Sequence, residues 1–161
     1  MNFVWYDYNP NTMNFIENWL DESAVESTGL NEGFHSFYEY WATEDGFVVG
    51  ENFWCKVISE HDKPFAVVAF CQYKSKMIIM EVLLEPEKRG QGKGSTLIKE
   101  LIKNEEILGF SKQNWEAVIY PRNIASRKAF ENAGFRYSDN RQDENGESMS
   151  YIYKGESEST S

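Results

Sequence analysis

The pattern of hydrophobic and polar positions divides the chain into an aromatic-rich N-terminal part and a second part that combines strands and helices. In the first part, residues 3–8 predict a strand that ends at Asn9-Pro10-Asn11. Two segments with apolar residues at helical spacing follow, one with Thr12 as its N-cap and one that begins at Phe34. The polar, glycine-punctuated residues 21–33 between these two segments predict a loop.

The spacing of the apolar residues changes from residue 47 onward, where extended segments become the dominant prediction. Residues 53–58, 65–72 and 77–84 predict three strands, and the last two are apolar at nearly every position. Strands of that kind have both faces covered, as in a central sheet flanked by helices. Glu81 is the only charged residue in the third strand, so it is either an accident near a loop or a functional group.

Two helices and a strand are predicted further along the chain. A helix over residues 96–108 carries a core-facing apolar stripe, and residues 115–120 predict the next strand. Asn123 is the expected N-cap of a short helix, with Gly134 as the left-handed residue past its end.

The C-terminal part predicts a hairpin and a tail. The hairpin joins residues 135–138 to residues 149–154, and the polar, acidic residues 155–161 have nothing to bury and are expected to be disordered. No internal repeat or linker interrupts the chain. We therefore expect a single domain over residues 1–154.

A glycine-rich turn, Arg89-Gly90-Gln91-Gly92-Lys93-Gly94-Ser95, joins the strand over residues 77–84 to the helix that follows. Glycine allows positive φ and lets a ligand approach where a Cβ would obstruct it. The first amides of a helix lack intrahelical partners, and the helix dipole favours negative charge there. The stretch therefore predicts a phosphate-binding turn, and a solvated glycine-rich connection is the alternative.

The spacing of the glycines excludes two common phosphate-binding motifs. The P-loop requires Ser or Thr directly after its lysine, whereas Lys93 is followed by Gly94. The dinucleotide motif Gly-x-Gly-x-x-Gly is excluded as well, because the third glycine comes one residue too early. The pattern that remains is Arg89-x-x-Gly92-x-Gly94.

Composition limits the partners and the compartment. The chain has 161 residues and a formal net charge of −10, which argues against nucleic acid or an anionic membrane as the main partner because both are negative. A cationic substrate suits this charge, although an acidic surface also serves solubility. Neither a signal sequence nor a metal-ligand spacing is found, so we expect a cytoplasmic protein without a metal, in which Cys55 and Cys71 are reduced core thiols.

A second motif, Asn123-x-x-Ser126-x-x-x-Phe130-x-x-x-Gly134-Phe135, lies downstream of the glycine-rich turn. The two motifs, in this order and on these elements, resemble those of the GNAT superfamily of acetyl-CoA-dependent N-acetyltransferases. The resemblance covers residues 77–137. It implies an α/β fold with a mixed, mostly antiparallel central sheet flanked by helices, in which two parallel strands splay apart at the cofactor cleft.

The resemblance also implies a binding site for acetyl-CoA as co-substrate. Main-chain groups of Leu83 and Leu84 would contact the pantetheine arm, with either Arg89 or Lys93 adding charge near the pyrophosphate. Backbone amides would hold that pyrophosphate, and three side chains would lie along the pantetheine arm and the thioester. The amides belong to Gly90, Gln91, Gly92, Lys93, Gly94 and Ser95, and the side chains to Asn123, Ser126 and Phe130.

Phe130 departs from the family pattern, which often has a tyrosine proposed to protonate the departing thiolate. A thiol with a pKa of about 8.5 leaves as the thiolate with little acid assistance. The sequence leaves three alternatives open: catalysis proceeds without that acid, another group such as Tyr120 or Tyr137 supplies it, or the protein has lost turnover.

The favoured hypothesis for the function is direct transfer of an acetyl group from acetyl-CoA to a primary amine of a cationic small molecule. A backbone amide at Leu84 would stabilise the thioester oxygen. Glu81 would take a proton from the amine, or would only recognise its charge. The alternatives are a protein N-terminus or lysine as the acceptor, and a non-catalytic acyl-CoA-binding module. The oligomeric state stays open, with a homodimer among the alternatives.

Overall fold

The computed structural model describes residues 3–44, 52–104, 114–143 and 146–153. Seven strands form a mostly antiparallel sheet in the order β1-β2-β3-β4-β5-β7-β6, accompanied by helices, which confirms the predicted fold class. The strands are β1 (Phe3–Asp7), β2 (Phe53–Glu60), β3 (Lys63–Tyr73), β4 (Lys76–Leu84), β5 (Asn114–Ile119), β6 (Arg136–Asp143) and β7 (Gly146–Tyr153). The α-helices are α1 (Glu22–Thr28), α2 (Phe34–Glu39), α3 (Lys93–Lys103) and α4 (Ile124–Asn132). Two 3₁₀ helices, Asn14–Trp19 and Pro86–Lys88, and a π-helical segment, Tyr40–Glu44, complete the set.

The chain divides into two compact units. The first unit consists of Met1–Cys71 and Met80–Arg89, and the second consists of Gln72–Ile79 and Gly90–Ser161. Strand β4 therefore contributes to both units.

The first unit has its core around β2 and β3. Every residue of β3 from Phe65 to Cys71 is buried, as expected for a strand that is covered on both faces. Aromatic rings extend this core, with the Tyr8 ring centroid 5.2 Å from that of Phe34 and 4.7 Å from that of Tyr38. Burial of large aromatic rings is a major source of folding free energy, so this cluster anchors the N-terminal helices.

A short helix stands where the sequence predicted a loop over residues 21–33. The Asp21 carboxylate accepts a hydrogen bond from Ala24 N at 2.9 Å and caps α1, and Gly29 ends the helix with φ 79°. The loop prediction is therefore wrong. It failed because the seven residues of α1 bury only Ala24 and carry no apolar stripe.

Two further helix boundaries differ from the prediction. The helix after the first strand is a 3₁₀ helix whose N-cap is Met13, with no side-chain capping bond, so Thr12 is not its cap. Helix α3 begins at Lys93 instead of residue 96, because Gly92 adopts the positive φ that precedes the first turn. Its predicted end at residue 108 lies outside the described residues, as do the tip of the last hairpin and the tail over residues 155–161.

In the second unit, β4 and β5 run parallel. The pairing covers four residues of each strand and joins Lys76–Ile79 to Asn114–Ala117. Both strands continue past the last pair, β4 to Leu84 and β5 to Ile119. The ladder therefore stops before either strand ends, in agreement with the predicted splayed pair. Among the helices that the structure describes, none is long and apolar enough to cross a membrane.

Candidate active site

The glycine-rich turn of the second unit has the backbone conformation that its sequence predicted. Gly90 and Gly92 have φ values of 74° and 75°, a region that residues with a Cβ rarely adopt. A Cβ placed at either glycine would meet no atom within 4 Å. The space beside the turn is therefore open, and the glycines are required by the backbone conformation and not by crowding within the protein. Binding of the acetyl-CoA pyrophosphate at this turn stays a prediction.

Helix α3 begins directly at this turn. The Gly92 carbonyl accepts hydrogen bonds from Thr96 N at 3.2 Å, Thr96 Oγ1 at 2.9 Å and Ser95 Oγ at 3.1 Å, which fixes the first turn of the helix. The amides ahead of Thr96 have no carbonyl to bond within the helix, and an eleven-residue helix directs the positive end of its dipole there. The local electrostatics therefore favour an anion at Lys93, Gly94 and Ser95.

Gly94 serves a different purpose from the two glycines before it. A Cβ at Gly94 would lie 3.5 Å from the Cβ of Ala129 on α4, an ordinary van der Waals distance. Helices α3 and α4 thus approach closely at this point. Gln91, between the first two glycines, is exposed.

The second motif forms the start of α4. The Asn123 Oδ1 atom accepts a hydrogen bond from Ser126 N at 3.2 Å, which confirms Asn123 as the N-cap. Gly134 has φ 100° just past the end of the helix, as its position predicted. Contacts of Asn123 and Ser126 with a pantetheine arm stay a prediction.

Phe130 lies on the buried side of α4. Its ring is 3% exposed and meets the ring of Phe135 edge-on, with centroids 5.0 Å apart. The two tyrosines considered as substitutes for a family tyrosine are placed differently. Tyr137 donates its hydroxyl proton to Asn140 Oδ1 at 2.6 Å, and the guanidinium of Arg122 lies 4.4 Å from the centroid of the Tyr120 ring.

In the first unit, Glu81 stands on the second half of β4. Within the described ranges, its carboxylate has neither a hydrogen bond nor an ion pair. Desolvation disfavours the charged form and raises the pKa of Glu81 to about 8. A carboxylate with such a pKa, and without a partner, is suited to accept a proton near neutral pH. Leu83, two residues on, is buried, and Leu84 is partly exposed.

Arg89 has a set of partners that the sequence did not indicate. Its guanidinium pairs with Asp21 and also donates to the carbonyl oxygens of Trp19 and Leu84. These residues all belong to the first unit. The hydrogen bonds from Ala24 N and from Arg89 lower the pKa of Asp21, so the pair is ionised at neutral pH.

The comparisons with known proteins agree with this geometry. A model of the acetyltransferase (GNAT) family matches residues 8–135, so the chain belongs to that family and is an acyltransferase. No curated protein sequence matches the chain.

Solved structures with the same fold include amine acetyltransferases. One is the aminoglycoside acetyltransferase AAC(6')-Ib in complex with coenzyme A, with a TM-score of 0.75, 14% identity and 95% of each chain covered. The same enzyme with ribostamycin and coenzyme A also gives a TM-score of 0.75 at 14% identity, over 96% of this chain and 94% of that one. A spermidine N-acetyltransferase SpeG chimera from Vibrio cholerae and hSSAT has a TM-score of 0.72, 16% identity and 96% of each chain covered. At these identities the likeness shows the fold alone.

One signal in the sequence was missed by the motif analysis. Residues 1–55 contain ten Asp and Glu and no Lys or Arg, whereas residues 56–161 contain sixteen of each sign. The whole net charge of −10 therefore resides in the first third of the chain. A count of charge along the sequence would have found this asymmetry.

Proposed function

We propose that the protein transfers an acetyl group from acetyl-CoA to a primary amine of a cationic small molecule. The observation that carries the choice of acceptor is the uneven charge, because residues 1–55 contain ten acidic residues and no Lys or Arg. Among the described ones, Asp7 and Asp21 form ion pairs with a Lys or an Arg from elsewhere in the chain. Several of these carboxylates are exposed, among them Glu22, Glu26, Glu32 and Glu39. A surface of one sign raises the local concentration of ligands of the opposite sign.

The donor would bind at the glycine-rich turn. Positive φ at Gly90 and Gly92, open space beside both, and the start of α3 are what this assignment rests on. The amides from Gly90 to Ser95 would hold the pyrophosphate, and the backbone of β4 at Leu84 would face the pantetheine arm and the thioester oxygen. The residues of α4 that complete the second motif would contact the same arm.

Glu81 would serve the acceptor. In the transfer, the ammonium first gives one proton to a base, and the free amine nitrogen then forms a bond to the acetyl carbon. The bond from that carbon to sulfur breaks, CoA leaves as the thiolate, and the second proton of the nitrogen goes to the thiolate or to solvent. An amine with a pKa near 10 arrives mostly protonated, so a base is needed. The carboxylate of Glu81 has no partner among the described residues, and its pKa is raised to about 8, so it is suited to take the first proton directly or through water.

The proposal is tested by following CoA release with a panel of acceptors that differ in charge. Spermidine and an aminoglycoside represent polycations, and neutral amino acids and short peptides represent weakly charged amines. We expect kcat/KM to be highest for the polycations and to fall as salt screens the attraction. A peptide N-terminus or lysine as the best acceptor would contradict the small-molecule assignment and favour a protein acceptor.

Charge variants separate steering from chemistry. Glu26→Gln combined with Glu32→Gln removes two exposed charges from the acidic part, and we expect kcat/KM for the best polycation to fall about threefold at low salt while the KM for acetyl-CoA stays unchanged. The matched control is Asp139→Asn combined with Glu147→Gln, which removes two exposed charges from β6 and β7. An equal fall in the control would show that total charge matters and that its location does not.

A further inference from the structure

We propose that Arg89 is a positioning residue that fixes the end of β4 to the start of α1, and not a ligand of the pyrophosphate. The proposal rests on the proposed function, because the strand end that Arg89 holds is the one assigned to the acyl donor. It changes the role of the first residue of the Arg89-x-x-Gly92-x-Gly94 motif, from which sequence reasoning expected charge for the phosphates.

The hydrogen bonds of Arg89 engage all three nitrogens of its guanidinium. A guanidinium has five N–H groups and no acceptor. Nε donates to the Leu84 carbonyl oxygen at 3.2 Å, and Nη2 donates to the same oxygen at 3.0 Å and to the Trp19 carbonyl oxygen at 2.7 Å. Nη1 donates to both carboxylate oxygens of Asp21, at 3.1 and 3.0 Å. Each guanidinium nitrogen of Arg89 is therefore engaged within the first unit.

The charge of Arg89 is also compensated locally. Its ion pair with Asp21 brings both carboxylate oxygens to one nitrogen, Nη1, and not to the two-nitrogen fork in which arginine binds a carboxylate most strongly. The side chains of Arg89 and Asp21 are 31% and 43% exposed, so solvent partly screens the pair and its net contribution to stability is small. A compensated charge attracts a pyrophosphate weakly compared with the amides of a helix start.

The contacts join two parts of the first unit that are remote in sequence. Asp21 is the N-cap of α1, and Trp19 is buried at the end of the preceding 3₁₀ helix. Leu84 is the last residue of β4, where its carbonyl receives two of the five bonds. Arg89 therefore sets the position of the backbone at Leu84 relative to the start of α1. It thereby links β4, which is assigned to the acyl donor, to the acidic N-terminal segment, which is assigned to the acceptor.

Two ligands distinguish positioning from phosphate binding. Adenosine 3′-phosphate 5′-diphosphate carries the pyrophosphate but lacks the pantetheine arm, whereas acetyl-CoA carries both. In Arg89→Gln we expect calorimetry to give an unchanged Kd for the first ligand and a Kd about tenfold weaker for acetyl-CoA, because the arm meets a displaced Leu84 backbone. Asp21→Ser keeps an N-cap oxygen but loses the ion pair. We expect it to show the same pattern as Arg89→Gln, with a weaker Kd for acetyl-CoA and an unchanged Kd for the ligand without the arm.

A charge-conserving variant completes the test. Arg89→Lys keeps the positive charge but lacks the planar fork, so we expect it to behave like Arg89→Gln. Thermal unfolding of each variant without ligand shows that the fold is intact, and if Arg89→Gln does not fold, Arg89→Lys and Asp21→Ser carry the comparison. The proposal is overturned if the ligand without the arm weakens as much as acetyl-CoA, if Arg89→Lys restores both affinities, or if neither Kd changes. Wild-type protein that binds acetyl-CoA but releases no CoA with any amine contradicts the proposed function and leaves this binding test valid.

Discussion

Two carboxylates, one on β4 and one on β5, show how differently this protein treats a charge in its sheet. Glu81, in the first unit, has no partner among the described residues, and desolvation raises its pKa to about 8. Glu116, in the second unit, is 2% exposed and is held by Lys76 Nζ at 2.7 Å, Arg141 Nη2 at 2.5 Å and Ser150 Oγ at 2.6 Å. Burial would raise the pKa of Glu116, but the hydrogen bonds from Lys76 and Ser150 and the charge of Arg141 outweigh it and lower the pKa.

The contrast separates a structural charge from a reactive one. A buried carboxylate paired with two cations has its charge compensated, and breaking such a cluster is costly. Desolvating a carboxylate that has no partners costs folding free energy. The same desolvation raises its pKa, so that it can exchange a proton near neutral pH. We therefore assign Glu116 to stability and Glu81 to the proposed proton transfer, and variants of each test this division.

The largest expected effect is on turnover in Glu81→Gln. Loss of a general base lowers kcat by about 100-fold, and the loss is greatest at pH values where the amine is protonated. The KM for acetyl-CoA is expected to stay unchanged, because the proposed role concerns only the acceptor. CoA release across pH 6 to 9 measures both quantities.

A surface carboxylate of the first unit provides the control for this variant. Asp62→Asn removes a charge from the exposed turn between β2 and β3, where φ is 62° and asparagine is well tolerated. Its kcat is expected to stay within about twofold of wild type. If Glu81→Gln keeps the full rate across the pH range, Glu81 is not the base.

The second effect is on stability in Glu116→Gln. The change removes a buried anion from between two cations, and we expect a loss of about 2 kcal/mol in the free energy of unfolding, below the usual cost of breaking a buried pair because Lys76 and Arg141 are partly exposed. Denaturant unfolding measures it, with the exposed Glu147→Gln on β7 as control, expected within about 0.5 kcal/mol of wild type. Equal stability of both variants would show that the Glu116 cluster contributes little.

The pH dependence of stability is expected to have opposite signs for the two carboxylates. A folded-state pKa above the unfolded value gives stability that is present at low pH and lost as pH rises. Because of Glu81, the free energy of unfolding should therefore fall as pH rises from about 5 to its pKa of about 8. Glu116, with a lowered pKa, should give stability that is lost as pH falls into the acid range.

Urea unfolding at several pH values tests these signs. Glu81→Gln should flatten the decline between about pH 5 and pH 8, and Glu116→Gln should reduce the decline in acid. A wild-type curve that shows no decline between about pH 5 and pH 8, or a Glu81→Gln curve parallel to wild type there, would contradict the raised pKa.

The smallest expected effect is on turnover in Phe130→Tyr. The new hydroxyl would enter a buried site against Phe135, so we expect a loss of about 1 kcal/mol in stability and a change in kcat of less than about threefold. Phe130→Ala leaves a cavity instead and should lower both stability and activity. A gain of about 100-fold in Phe130→Tyr would show that the native protein lacks an acid that its reaction needs.

The sequence predicted the second unit better than the first. Helix α3 has an apolar stripe, and α4 has an N-cap. The glycines between β4 and α3 mark a turn whose conformation few other residues adopt. Local signals of this kind act over a few residues and are visible in the sequence. Helix α1 carries only a cap and a C-terminal glycine, too little for its existence to be predicted from local pattern.

Contacts between residues that are far apart in sequence cannot be predicted from local patterns. Arg89 and Asp21 are 68 residues apart, and Ser150 and Glu116 are 34 apart, so no local spacing links either pair. The glycine motif suggested a phosphate role for Arg89, and only the fold reveals that Trp19, Asp21 and Leu84 engage all three nitrogens of its guanidinium. Glu81 could be singled out from the sequence because it is a lone charge in an apolar strand, and its role in proton transfer stays a prediction.

The most direct test of the account is the thermal unfolding of the protein with and without saturating acetyl-CoA, in wild type, Gly92→Val and Gly146→Val. Gly146 has φ 117° and open space around its Cβ position, so valine there introduces comparable backbone strain away from the proposed donor site. A ligand that binds only the native state raises the melting temperature by mass action, and we predict a rise in wild type and in Gly146→Val but none in Gly92→Val. No rise in wild type, or a normal rise in Gly92→Val, would contradict the assignment of the glycine-rich turn to acetyl-CoA.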